Sequence, residues 1–200
     1  MSDLHGFRLF RFEFSNWGTF NRGDRVEIFQ VGGHNALVTG ANGAGKSTLV
    51  DGLQALLIPP ANRSYNKASG TRTRERSDLT YIEGWYGQSS DNPEDPQRLR
   101  TKGEKTLLLA DFRNAATLDT VILGGIFWVE DGKPERLYLV RRQESSIKEN
   151  LAKLLAGRDL KKNLRERGFE VFTEHSDFAT RFRSLLKIPN ESALKLLGQA

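Results

Sequence analysis

An α/β fold is predicted by three features of the chain. A glycine-rich loop, Gly40-Ala41-Asn42-Gly43-Ala44-Gly45-Lys46-Ser47, joins a short apolar stretch to a segment whose leucines recur at helical spacing. Alternating apolar and polar runs flank this unit and read as antiparallel hairpins. The last quarter of the chain carries apolar residues at helical spacing.

Each element follows in order. Phe7 to Phe14 alternates over aromatics and predicts a half-buried strand; Ser15-Asn16-Trp17-Gly18 turns the chain, and Asp24 to Phe29 alternates again. Gly32-Gly33 breaks the chain, and Asn35 to Thr39 is expected as a short strand feeding the loop. Leu49, Leu53, Leu56 and Leu57 predict a helix that Pro59-Pro60 ends. A polar insertion runs from Ala61 to about Lys105, with Tyr81 to Tyr86 as its apolar island. Thr106–Arg113, Val121–Val129 and Arg136–Arg141 predict three strands, the last two joined by the turn Glu130-Asp131-Gly132-Lys133-Pro134. Residues 145–200 are expected to be mainly helical, from the spacing of Ile147, Leu151, Leu154 and Leu155 and of Phe178, Phe182, Leu185 and Leu186.

Two hundred residues suffice to bury a core, and 38% apolar with 28% charged residues is ordinary for a globular protein. The chain has no cysteine, which excludes disulfides and thiolate zinc sites. No basic leader precedes an apolar run, and the apolar runs are far shorter than the roughly 18 residues of a membrane span, so a cytoplasmic protein without a membrane partner is expected. A net charge of +5 permits a polyanionic partner without requiring one.

The loop carries the chemistry. Many backbone N–H groups must turn toward one anion, and Gly43 and Gly45 adopt dihedrals that a side chain forbids. The helix that follows offers unpaired N–H groups and the positive end of its dipole. Asn42, Gly43, Ala44, Gly45, Lys46, Ser47 and Thr48 are the expected phosphate ligands of a nucleoside triphosphate, ATP with Mg²⁺. Lys46 would reach the β and γ phosphates, Ser47 would ligate Mg²⁺, and Thr48 would bond the α phosphate.

Hydrolysis also needs an acid for Mg²⁺ and a group that orients water. Asp111 ends the run Leu107-Leu108-Leu109-Ala110, but Phe112 follows it; Glu130 and Asp131 read as hairpin-tip residues. No catalytic residue is assigned within the chain. His5, His34 and His175 have no metal-ligand spacing.

The aromatic first strand, the turn Asn16-Trp17-Gly18-Thr19-Phe20, the run Thr39 to Thr48 and the helix Leu49-Val50-Asp51-Gly52-Leu53 ending at Leu57-Ile58-Pro59 together resemble the N-terminal head segment of SMC-like ATPases, of the MukB/MksB type and the Wadjet JetC type. The likeness is strong over residues 7–60 and weaker beyond. It implies the N-terminal half of an ABC-type ATPase head lobe, with residues 1–144 as the ATP-binding lobe. Residues 145–200 would be a helical part of the same head leading toward a coiled coil, where Phe182 to Leu186 and Ala193 to Leu197 resemble the preceding helices. The Walker B acids and signature motif would come from a C-terminal half of the head, so ATPase activity would require that half. A second head joined through ATP, kleisin and winged-helix subunits, and double-stranded DNA bound without sequence preference are implied as partners. The processes implied are DNA loop extrusion, chromosome condensation at the nucleoid or plasmid defence. A Mg²⁺-holding glutamine is also implied, with Gln199 the candidate and Gln143 its rival.

Trp17 is expected to pack beneath the first hairpin, with approach to the nucleotide as the alternative. Arg63, Arg72, Arg74 and Arg76, with Lys67, form a basic cluster that suits phosphate or DNA-backbone contact, or else a solvated loop. Two other readings remain: a self-contained P-loop kinase or NTPase using Asp111 for Mg²⁺, and a DNA-binding module that the loop only regulates.

Overall fold

The computed structural model describes residues 6–20, 25–65, 76–88, 96–100, 103–155 and 159–188. Alternation produces the strands that the sequence predicts. β1 (Phe7–Ser15) and β2 (Glu27–Gln30) form the first hairpin; β5 (Thr106–Asn114), β6 (Thr120–Glu130) and β7 (Lys133–Arg141) follow the polar insertion. With β8 (Glu170–Phe172) they make one six-stranded sheet, ordered β2-β1-β5-β6-β7-β8, in which every neighbouring pair is antiparallel. The β6–β7 turn places Asp131 and Gly132 at φ 48° and 76°, the two positive values that a two-residue hairpin of matching twist requires.

Each face of this sheet buries a separate apolar layer. Phe12, Phe14, Leu108, Ala110, Leu123 and Phe127 pack under α1 (Lys46–Leu57) and α4 (His175–Leu186), meeting Leu56, Phe178 and Phe182. On the opposite face Leu107, Leu109, Ile122, Ile126 and Leu139 meet Ile147, Leu151, Leu164 and Phe169. That second layer is built from a π-helical turn at Ile147–Leu151 and α3 (Leu160–Glu166). Period-two side chains explain the division, because successive residues of one strand serve opposite layers.

Gly125 lies beneath α1. A Cβ there would stand 3.0 Å from Leu56 Cδ2 and 2.4 Å from a ring carbon of Phe127. Its missing side chain therefore lets the helix approach the sheet closely. Gly125 is thus a packing device inside β6.

The insertion holds α2 (Asp78–Glu83), β3 (Trp85–Gln88) and β4 (Pro96–Arg98), the last two a small antiparallel pair of their own. Ser77 and Thr80 form a reciprocal capping box at the start of α2.

One expectation changes. Asn35 to Thr39 is irregular chain and not a strand; Leu37 is 88% exposed, and among the described residues no backbone N–H from 35 to 43 donates a bond. A strand exists only with a neighbour to pair with, and none of the described strands pairs with this segment. Within residues 145–188 the described elements are helical turns and helices together with β8, which adds an edge strand to β7. No helix among the described residues is long and apolar enough to cross a membrane.

Candidate nucleotide-binding site

The glycine-rich loop takes the geometry its composition predicts. Gly43 and Gly45 have φ of 82° and 90°, and Gly45 is the residue that caps α1. No side chain caps this helix and no acid lies in its first turn, so the leading N–H groups of Lys46, Ser47 and Thr48 keep their capacity for an anion. The Lys46 ammonium reaches back over the loop to the carbonyls of Gly40 at 2.5 Å and Ala41 at 2.9 Å. A cradle of amides closed by one ammonium fits a di- or triphosphate, and the Ser47 hydroxyl at its floor fits a phosphate-bound Mg²⁺.

A buried turn supports the loop from below. Trp17 is fully buried, and its indole Nε1–H donates to the Thr48 carbonyl at 2.8 Å. The indole stacks on Tyr81 with centroids 4.6 Å apart and planes 11° from parallel. Phe20 packs so closely on Gly45 that a Cβ there would stand 2.5 Å from its ring. Packing is thus the role of Trp17, though directly beneath the phosphate helix.

Tyr81 in turn donates its hydroxyl to the Asp51 carboxylate on α1; burial and that carboxylate hold the phenol far above its ordinary pKa. Arg100, 4% exposed, donates to the carbonyls of Gly18 and Tyr81, both at 2.6 Å, and burial pulls its pKa down to about 10. Three segments distant in sequence are thereby fastened around the loop. Arg100 carries no local motif, so sequence reading missed it.

Other candidate residues stand elsewhere. Arg63 has a side chain only 2% exposed. It donates to the carbonyls of Ala55 and Ile58 at the end of α1, to the Tyr138 hydroxyl and to Asp78, which also accepts from Tyr65 and Arg136. It is therefore a buried cap of α1 and unavailable to a DNA backbone. Arg76 stays partly exposed and faces Asp51 at 3.6 Å. Lys67, Arg72 and Arg74 lie outside the described residues, as do Gln199, His5 and the run Ala193 to Leu197.

Asp111 is fully buried between Arg11 and Arg113, at 3.6 and 2.8 Å. It shares the face of Leu107 and Leu109, whereas α1 lies over Leu108 and Ala110. The sheet therefore separates its carboxylate from Ser47, and a Mg²⁺ role at this loop is corrected to a structural ion pair. Glu130 and Asp131 occupy the hairpin tip as expected. Gln143 is exposed and accepts from Arg141 at 3.2 Å. No cluster of three or more potential metal ligands occurs among the described residues.

His175 is buried, its Nε2 3.1 Å from the Leu56 carbonyl, and burial lowers its pKa to about 4. It caps α1 beside Arg63.

The site and its setting define a P-loop nucleotide-binding region within an α/β, mostly antiparallel fold. Residues 9–72, about a third of the chain, match the family model described as the P-loop containing region of an AAA domain. That interval runs from within β1 through β2, the loop and α1. A comparison with curated proteins gives no match.

Proposed function

We propose that this chain is the N-terminal half of an SMC-like ATPase head, which binds ATP with Mg²⁺ and hydrolyses it only when a C-terminal half completes the fold. Asn42 to Thr48 hold the triphosphate, Lys46 neutralises its β and γ oxygens and Ser47 ligates the metal. When bound, Mg²⁺ offsets charge that develops on the phosphates. Two heads would then close on ATP, and the engaged pair, with kleisin and winged-helix subunits, would act on double-stranded DNA at the nucleoid or in plasmid defence.

One observation carries this reading: Asn35 to Thr39 runs into the loop with no backbone N–H bonded among the described residues and with Leu37 exposed. An apolar strand segment presented in this way suits strand addition by another polypeptide segment. Val50, 45% exposed on α1, adds a second apolar position to an unpartnered surface. The self-contained kinase reading loses its metal ligand, because Asp111 is committed on the far side of the sheet.

The test is ATP turnover by this chain with and without a separately expressed C-terminal half. The expected result is Mg²⁺-dependent ATP binding by the chain alone, and turnover only after the second half is added. Leu37→Asp should leave ATP binding intact and abolish the gain. Full turnover by the chain alone would refute the reading.

A further inference from the structure

The whole net charge of the protein resides in one stretch. Residues 141–168 contain nine Lys and Arg against four Asp and Glu, while the rest of the chain carries 21 of each, so the +5 excess belongs to this stretch. Its described residues in 145–155 and 159–168 build the layer that covers the sheet face opposite α1. Ile147, Leu151, Leu164 and Phe169 point inward and are buried. Lys148, Lys153, Lys161, Lys162, Arg165 and Arg167 are exposed on its outer side.

None of these six makes an ion pair among the described residues. Two of the four acids are already engaged: Glu144 with Arg113 at 2.7 Å, and Asp159 as the cap that accepts from the Lys162 N–H at 3.1 Å. The face thus carries an excess of cations without ion-pair partners among the described residues, and Lys161 and Arg165 stand one helical turn apart on the same side of α3.

From this distribution we infer that the outer face of the 141–168 layer docks the phosphate backbone of duplex nucleic acid. The chemistry selects this occupant. The exposed large apolar residues of the described chain are Ile28, Leu37, Val50, Tyr86 and Leu118, and none belongs to the layer. A membrane surface would call for apolar residues to insert, a protein partner for an apolar anchor, and a single strand for aromatic platforms. A duplex backbone asks only for spaced cations that release its counterions. The inference shares a polyanionic partner with the head reading but rests on the charge distribution alone. It does not involve Arg63, which is buried.

The experiment is fluorescence anisotropy with a labelled 30-base-pair duplex from 50 to 200 mM salt, on the full chain. Wild type should bind with steep salt dependence. The neutral triple variant Lys161→Ala, Lys162→Ala, Arg165→Ala should bind at least tenfold more weakly at 50 mM salt. The salt slope should fall by about three, roughly one for each phosphate no longer neutralised. These side chains are exposed, so the variant should keep its thermal transition and its Mg²⁺-ATP affinity; Lys133→Glu, a hairpin-tip control outside the layer, should bind like wild type. The inference is overturned if wild type does not bind the duplex at 50 mM salt, if the triple variant matches it, or if a single strand or anionic vesicles bind better. ATP turnover reads the head reading separately, so failure of one leaves the other standing.

Discussion

The Trp17 indole hydrogen bonds to the Thr48 carbonyl at 2.8 Å, tying the turn after the first strand to the opening turn of the phosphate helix. The donor is shielded from solvent, because Trp17 is fully buried against Tyr81. The bond holds the angle at which the helix presents its N–H groups to the loop. Positioning of the phosphate amides therefore depends on a residue that touches no phosphate.

Trp17→Phe keeps the stack and removes the donor. A neutral buried hydrogen bond contributes about 1 kcal/mol. Mg²⁺-ATP affinity is expected to fall about fivefold by calorimetry, with the fold retained. An unchanged affinity would show that the helix opening is held by packing alone.

Gly45→Ala meets two obstacles, a φ of 90° and a Phe20 ring 2.5 Å from the new methyl carbon. Left-handed backbone in a residue with a Cβ costs on the order of 1–2 kcal/mol, and the clash adds to it. We expect a loss of at least 2 kcal/mol in urea unfolding together with loss of nucleotide binding. Lys46→Ala, by contrast, should abolish binding with stability almost unchanged, since Lys46 meets only carbonyls at a solvated site.

Arg63→Gln leaves Asp78 facing fewer donors and strips a cation from the end of α1. Breaking a buried pair by removing one partner costs about 3–5 kcal/mol. The variant should be strongly destabilised in denaturant titration, while exposed basic variants on α3 are not. Near-native stability would contradict its role as a buried cap.

The pH dependence has a definite sign at His175. Its folded pKa, about 4, lies below the unfolded value near 6.5, so the unfolded chain takes up the proton first. Its stabilising contribution is complete above about pH 6.5 and is lost as pH falls toward 4. The loss is about 2 kcal/mol after allowance for solvent. The difference in unfolding free energy between wild type and His175→Gln should shrink across that window. A difference that stays constant from pH 7 to 4.5 would refute the assignment.

The loop and the main strands were legible because their causes are local. Gly43, Gly45, Lys46 and Ser47 are adjacent, and alternation in Phe7 to Phe14 or Thr106 to Asn114 is visible without tertiary knowledge. Asn35 to Thr39 reads as a strand for the same local reason, yet strand formation depends on a neighbour that local pattern cannot supply. Arg63 reads as part of a solvent-facing basic cluster because its neighbours in sequence are polar; only the fold brings Asp78 and Tyr138 to it. The three-residue β8 is too short for any periodicity, and it forms because β7 offers an edge. Which face of the sheet Asp111 occupies likewise depended on where α1 settles.

The first strand serves both sides of the sheet. Phe12 and Phe14 support the phosphate helix, while Glu13, one residue away, accepts the Ile147 N–H at 2.7 Å beneath the basic layer. A triphosphate on one side and the proposed duplex on the other would not compete for space. Any influence between them would pass through the sheet, a thickness of one β-strand.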